Sequence, residues 1–205
     1  MSTVSKFQAD RLNEVGARNC HVVHNGIKAD AFTFDPGGGE GLLFLGRIEK
    51  EKGADIAIRV ATELARPLVL AGPIVQQDYY DDMIAPLLNE TVRYIGVVDH
   101  REKNRLLGSA GCVLMPSRWE EPFGMVAIEA MACGTPVVVS PQGALPEIVD
   151  HGVSGFVAAD DEMAGLVDQA LSLDRAAVRS AVAERFDISV AARKFHELYS
   201  HMLAT

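Results

Sequence analysis

Cysteine is scarce in this chain. There are three in 205 residues, Cys20, Cys112 and Cys133, odd in number and far apart. No C-x-x-C pair or metal-ligand spacing links them. A disulfide framework and a structural zinc site are therefore excluded as organising devices, and reduced thiols in a cytoplasmic protein are expected. The six histidines form no H-x-x-x-H pair, and no G-x-S-x-G elbow is present, so zinc and triad hydrolases have no support. Basic charge is short as well: 19 Lys and Arg face 28 Asp and Glu, a net charge of −9. That argues against a nucleic-acid partner, whose phosphates would need neutralising, although a local basic pair can still hold one pyrophosphate. No stretch approaches the ~18 apolar residues needed to cross a bilayer, and the N-terminus lacks an apolar signal region. Peripheral contact with the inner face of a membrane stays open. Internal repeats and low-complexity tracts are absent.

What remains is an ordinary globular composition, 48% hydrophobic and 23% charged, long enough for one sizeable core with appendages. The most informative stretch is WEEPFGMVAIEAMACGTP, residues 119–136. Between Gly124 and Cys133 only Glu129 is neither apolar nor glycine, so the spacing predicts a short helix that is buried nearly all round. A carboxylate in that setting needs a specific partner, because a desolvated, unpaired ion costs several kcal/mol. Gly134 and Pro136 end the helix. Gly124 lets a ligand approach the unpaired amides at its start. Glu121 and Glu129, eight positions apart, are expected to overlook that opening. Backbone donors suit a phosphate, and ionised carboxylates, which only accept hydrogen bonds, suit sugar hydroxyls.

The run EPFGMVAIEAMACGTPVV resembles the Glu-x7-Glu signature of the retaining GT-B glycosyltransferases of the group 1 family. That resemblance implies an α/β fold, a Rossmann-like doubly wound parallel sheet forming the C-terminal half of a GT-B architecture. It further implies that Glu129 takes the ribose hydroxyls and Glu121 those of the donor sugar, with the amides of Phe123, Gly124, Met125 and Val126 against sugar and distal phosphate. The donor would be a nucleoside-diphosphate sugar, with no metal and no separate cofactor.

Other segments fit the same resemblance. Gly41–Gly46 is an apolar strand, followed by R-x-x-x-x-K-G and a helical pattern through Ala54, Ile58 and Ala61. This puts Gly46, Arg47 and Lys52 at the carboxyl end of a strand, where open α/β sheets bind ligands. By resemblance Arg47 and Lys52 are the pyrophosphate-binding pair, and with Glu121 the catalytic set. On residue type alone both basic residues read equally as solvated loop charges. Further strands are expected at 67–72, 92–96, 111–115 and 136–140. A helix at 78–88 should be capped by Asp78 and strained by Pro86, and another is expected at 102–107. The ends of strand 92–96, Ile95 and Val97, would lie against the base through main-chain groups. Trp119 is expected to bury a loop, Glu120 to be solvated, and Glu147 to brace a turn. Helices follow from about Asp160 to Ser172 and from Asp174 to Glu184. A last one runs from Asp187 to Leu203, with Val190, Phe195, Leu198 and Met202 at core spacing.

The domain reading follows. Residues 1–24 resemble the end of an N-terminal acceptor domain. Residues 25–40 are a linker whose DPGGGE run is flexible by composition, 41–185 bind the nucleotide sugar, and 186–205 form a terminal helix. The resemblance implies a preceding acceptor domain of ~150 residues, lacking here, so the partner to expect is such a domain. The activity implied is transfer of a sugar to an acceptor hydroxyl with retention. Two alternatives stay open: a nucleotide-sugar-binding module inactive without its partner, and a GT-B-type nucleotide-sugar epimerase.

Overall fold

Continuous apolar runs with no polar alternation are the mark of strands buried on both faces, which means parallel strands covered by helices. A computed structural model describes residues 1–204 and places the runs in that arrangement. Its main sheet comprises β3 (Leu42–Leu45), β4 (Leu68–Ala71), β5 (Val92–Tyr94), β6 (Cys112–Met115), β7 (Val137–Val139) and β8 (Gly155–Val157). The spatial order is β5-β4-β3-β6-β7-β8, all parallel. Registry is fixed by pairs such as Leu42 opposite Leu68 on one side and Cys112 on the other.

The period of two in a strand sends neighbours to opposite faces, and the two cores reflect it. Leu42, Phe44, Leu114 and Val138 join a core with α2 (Ala54–Glu63) and α7 (Met163–Leu171). Leu43, Val113, Val137 and Val139 join the other, with α5 (Met125–Ala132) and α8 (Arg175–Phe186). Between β6 and α5 the chain runs through the motif loop. Ile128 and Met131 of α5 are fully buried, as the apolar run requires. The chain order reverses between β3 and β6, a switch point at which a crevice opens beyond the strand ends.

A smaller unit precedes the sheet. β1 (Ser2–Thr3) pairs in parallel with β2 (His21–Val22), joined by α1 (Lys6–Glu14), whose Ser5 cap accepts from Gln8 N at 3.1 Å. The last helix, α9 (Ile188–Ala204), returns to this unit: Lys194 and Leu198 share a groove with Cys20 to Val23. Ala191 is buried and Phe195 and Leu198 are half-buried, but Met202 is 59% exposed, so the apolar stripe stops short of that expected core position.

Three expectations need correcting. The 78–88 helix is not capped by Asp78, which sits in the first turn of α3 (Gln77–Tyr79) with Gln76 before it. The chain then widens into a π segment, Tyr80–Ile84, and tightens into a 3-10 turn, Ala85–Leu87. Pro86 explains the break, because it has no N–H to offer the carbonyl four residues back and its ring crowds that group. The 102–107 helix is longer, α4 (His100–Ser109), because Asp99 caps it by accepting from Glu102 N at 2.7 Å. The glycine-rich stretch after Asp35 is held rather than loose. Asp35 Oδ1 accepts from Gly37 N and Gly38 N, and Arg175 Nε donates to the Asp35 carbonyl at 2.6 Å. An aspartate two residues before small residues makes this turn readily, so glycine content misleads about mobility here.

Candidate functional site

Two loops meet at the switch point. The first leaves β3 through Gly46 and Arg47 and reaches a short turn, Lys50–Lys52, which Gly53 closes with φ +73°. A Cβ on Gly53 would stand 2.1 Å from the Pro116 carbonyl oxygen, so glycine is what lets this turn lie against the second loop. The second loop leaves β6 and carries Ser117, Trp119 and Glu121. It is seated on α6 (Leu145–Ile148) and the turn before it: Ala144 N donates to the Glu121 carbonyl at 2.8 Å. Phe123 drops into the core, edge-on to Phe186 at 5.7 Å. Gly124, at φ +108°, then turns the chain into α5.

The Lys52 ammonium is ion-paired with Glu121 Oε1. Glu121 is only 7% exposed, and its Oε1 also accepts from Ser117 Oγ at 3.4 Å. Lys52 Nζ lies 5.0 Å from the centroid of the Trp119 ring. Trp119 is therefore not a loop filler but a half-exposed aromatic surface beneath a cation. The first amides of α5 precede its first backbone bond, from Ala127 N to Gly124 O at 3.0 Å, and so have no intrahelical acceptor.

These parts surround a cavity of about 330 Å³. Gly46, Lys52, Glu121, Phe123, Gly124, Met125 and Val126 all line it. The other expected site residues stand apart from it. Arg47 is half-exposed and paired with Glu49 at 2.7 Å. Ile95 and Val97, beyond β5, are 39% and 72% exposed. Glu129 has the partner its burial demanded, but that partner is Lys103 of α4, whose Nζ donates to Oε1 at 2.7 Å. Val4 and Asn25 also line it, and neither was anticipated as a site residue. Asn25 lies in an Asn-Gly turn signal, whereas Val4 and Lys103 carry no motif.

Four groups around the site have definite electrostatics. Burial pushes the Cys133 thiol, just past α5, up to about 11, and that of Cys112 to about 12, so neither supplies a thiolate at neutral pH. Burial, with Lys194 and Arg185 nearby, lowers the His24 pKa below its ordinary value. Glu147 braces a helix rather than its own turn: both its oxygens accept from Lys6 N, at 2.9 and 3.0 Å, at the start of α1. Burial raises its pKa, against the lowering effect of those amide bonds. Among the described residues no group of three or more His, Cys, Asp or Glu is placed to hold a metal ion. Amides, an ammonium and an ionised carboxylate on one wall can receive an anion joined to a polyol.

Comparison with known proteins gives consistent results. The profile of the family described as Glycosyl transferases group 1 matches residues 29–185. A glycogen synthase of Mycobacterium tuberculosis is 37% identical over 194 residues, which cover 88% of this chain and 44% of that protein. A D-inositol 3-phosphate glycosyltransferase of Mycobacterium sp. (strain KMS) is 33% identical over 196 residues, 84% of this chain and 44% of that one. The chain thus spans less than half the length of these relatives. Among solved structures, Anabaena HepE in complex with UDP and glucose superposes with a TM-score of 0.86 at 23% identity, covering 98% of this chain and 62% of that one, a likeness of fold. AviGT4, a glycosyltransferase involved in avilamycin A biosynthesis, gives 0.82 at 30% identity, covering 99% and 64%.

Proposed function

The chain belongs to the glycosyl transferases group 1 family, and from that premise we propose that it is the donor-binding half of a retaining glycosyltransferase. Its donor is a nucleoside-diphosphate sugar. The observation that carries this reading is the cavity at the β3/β6 switch point, where the α5 amides, Lys52 and Glu121 share one wall. The diphosphate sits against the amides and Lys52, with Arg47 swinging from Glu49 to a phosphate oxygen. Glu121 accepts from hydroxyls of the donor sugar. Glu129 accepts from ribose hydroxyls while keeping Lys103, since a carboxylate offers about four lone-pair sites. Main-chain groups from Ile95 to Val97 meet the base.

In the transfer, the bond between the anomeric carbon and the diphosphate oxygen breaks and a bond to the acceptor hydroxyl forms on the same face. Lys52, Arg47 and the amides stabilise the charge that builds on the departing diphosphate. No side chain of the cavity serves as nucleophile in this reading. The acceptor proton passes to the leaving phosphate oxygen, and the charge is managed without a metal. The acceptor is held by a domain other than this one, in the same polypeptide or a separate chain. Free Cys20, Cys112 and Cys133 accord with a reducing, cytoplasmic setting, and among the described residues no helix is long and apolar enough to cross a membrane.

The test is calorimetric titration of the 205-residue chain with UDP, GDP and ADP, repeated on Arg47→Ala and Glu129→Ala. One diphosphate should bind in preference, and each substitution should weaken it at least about tenfold, as loss of a charged partner to a ligand does. Transfer to added acceptor sugars should be negligible. Binding that survives both substitutions unchanged would sink the site assignment.

A further inference from the structure

Arg118 stands on the motif loop one residue before Trp119, yet its side chain turns away from the cavity and into the other loop. Its guanidinium makes a two-pronged pair with Asp55 of α2, Nη1 to Oδ1 at 2.8 Å and Nη2 to Oδ2 at 2.7 Å. Nη1 also donates to the Lys50 carbonyl at 2.8 Å. The Arg118 backbone N–H donates to the Glu51 carbonyl at 2.7 Å. The Tyr79 hydroxyl also donates to Asp55 Oδ1, at 2.5 Å. One residue thus grips two consecutive carbonyls of the turn that ends in Lys52 and the first turn of the helix that follows it. The same short loop carries Glu121, the partner of Lys52.

We infer that Arg118 is a positioning residue that sets the separation of Lys52 from Glu121 and so the affinity of the cavity for a diphosphate. The inference rests on the donor-site reading above. The physical argument is one of entropy. Lys52 ends a long flexible stem, and an ammonium aimed at a phosphate is effective only if the backbone beneath it is immobile. The Lys50–Lys52 turn is a single 3-10 turn with no side-chain cap. Left to itself it would fray, as short helical turns do. Hydrogen bonds to carbonyls at successive positions, from a planar fork locked against a carboxylate, remove that freedom. Burial opposes the ionised form of Asp55, but its bonds from Arg118 and Tyr79 outweigh it, and the Asp55 pKa is lowered overall. The clamp therefore stays ionised near neutral pH.

Trp119 supplies a readout that needs no ligand. It is the single tryptophan of the chain, and Lys52 Nζ lies 5.0 Å from its ring. The experiment is a double-mutant cycle of Arg118→Lys and Lys52→Ala, each on the full 205-residue chain, with three measurements. The first is acrylamide quenching of Trp119. The second is affinity for the diphosphate preferred among UDP, GDP and ADP, alongside its matching nucleoside. The third is melting temperature. Arg118→Lys keeps a charge opposite Asp55 but replaces the planar two-pronged contact with a single rotatable ammonium, which loosens the grip while the fold should survive. We expect quenching to rise and diphosphate affinity to fall on the order of tenfold, with nucleoside affinity unchanged. In the Lys52→Ala background Arg118→Lys should change neither, since there is no ammonium left to position. Equal effects of Arg118→Lys in both backgrounds, or unaltered quenching with Lys52 present, would overturn the inference. Failure of the unaltered chain to bind any diphosphate would instead strike the donor-site reading, and the quenching cycle would still decide whether the clamp holds Lys52.

Discussion

Glu129 is the residue at which stability and binding compete. Its carboxylate is largely buried and its contact is the Lys103 ammonium, itself about three-quarters buried. Removing the carboxylate strands that ammonium over the Phe32 ring, 5.9 Å from its centroid. Glu129→Ala should therefore destabilise the chain by about 1–2 kcal/mol, a buried-pair penalty discounted for partial exposure. Lys103→Met combined with Glu129→Leu should recover most of that loss, because neither charge is left without its partner. Urea denaturation of the three variants checks this. A Glu129→Ala chain as stable as the parent would mean that the pair is a solvated contact. The need for a partner was legible in the sequence, since one carboxylate stood in an otherwise apolar helix. The partner's identity was not, because Lys103 comes from another helix and no pattern along the chain announces a pair that only tertiary packing forms. Arg118 was invisible for the same reason: a charged loop residue looks solvated until its acceptors, Asp55 and the Lys50 carbonyl, are brought beside it.

At the scale of elements, β3 to β7 were readable to within about two residues because sheet burial on both faces requires unbroken apolar runs such as Leu42–Leu45 and Val137–Val139, whereas the short edge strand β8 was not. Helix ends were less so, since they depend on single caps and breakers. Asp99 extended α4 beyond its apolar part, and Pro86 divided what hydrophobic spacing alone would join. The junction between the Lys52 turn and α2 makes a quantitative case. Gly53→Ala adds a Cβ at a left-handed backbone position and drives it to 2.1 Å from the Pro116 carbonyl. The expected loss is at least about 2 kcal/mol. Ile128→Ala in α5, where the side chain is fully buried, should lose about 2–5 kcal/mol by leaving a cavity. The two differ in what they do to the site. The glycine variant should also lower diphosphate affinity by parting the loops, whereas the isoleucine variant should spare affinity in whatever fraction stays folded.

For the whole molecule, the N-terminal unit is joined to the sheet domain through His24 and Glu147. His24 packs on Phe123 and Phe186, at 6.0 and 5.6 Å between ring centroids, and its Nε2 is buried without a hydrogen-bond partner among the described residues. Glu147 Oε1, 3.9 Å away, favours the imidazolium, but burial first, then Lys194 and Arg185, hold the folded pKa below the ordinary 6.5. The unfolded chain therefore takes up this proton first as pH falls. The stability that neutral His24 contributes is complete above the ordinary pKa and is lost as pH drops through the folded value. Glu147 acts in the opposite sense. Its raised pKa makes the folded state the better proton acceptor in the window just above 4.5, so it adds stability as pH falls through that window. Melting temperature should thus decline as pH falls below the ordinary histidine pKa of about 6.5, and His24→Phe, which keeps the aromatic packing, should flatten that decline. A His24→Phe profile parallel to that of the parent would show that another group governs the decline.

Ile27 N donates to the Phe186 carbonyl at 2.9 Å, and Ile188 N donates to the Ile27 carbonyl at 2.8 Å. On the ribosome the two sides of this staple are made far apart in time, with the strands and helices from β3 to α8 between them. At about 5–20 residues per second, Ile27 waits on the order of ten to thirty seconds for its acceptor to be synthesised. Over that interval the sheet from β3 to β8 can assemble strand by strand as each emerges, while Ile27 is without either of these two partners. The seam between Ile27 and the junction of α8 with α9 is therefore among the last contacts of these residues to close.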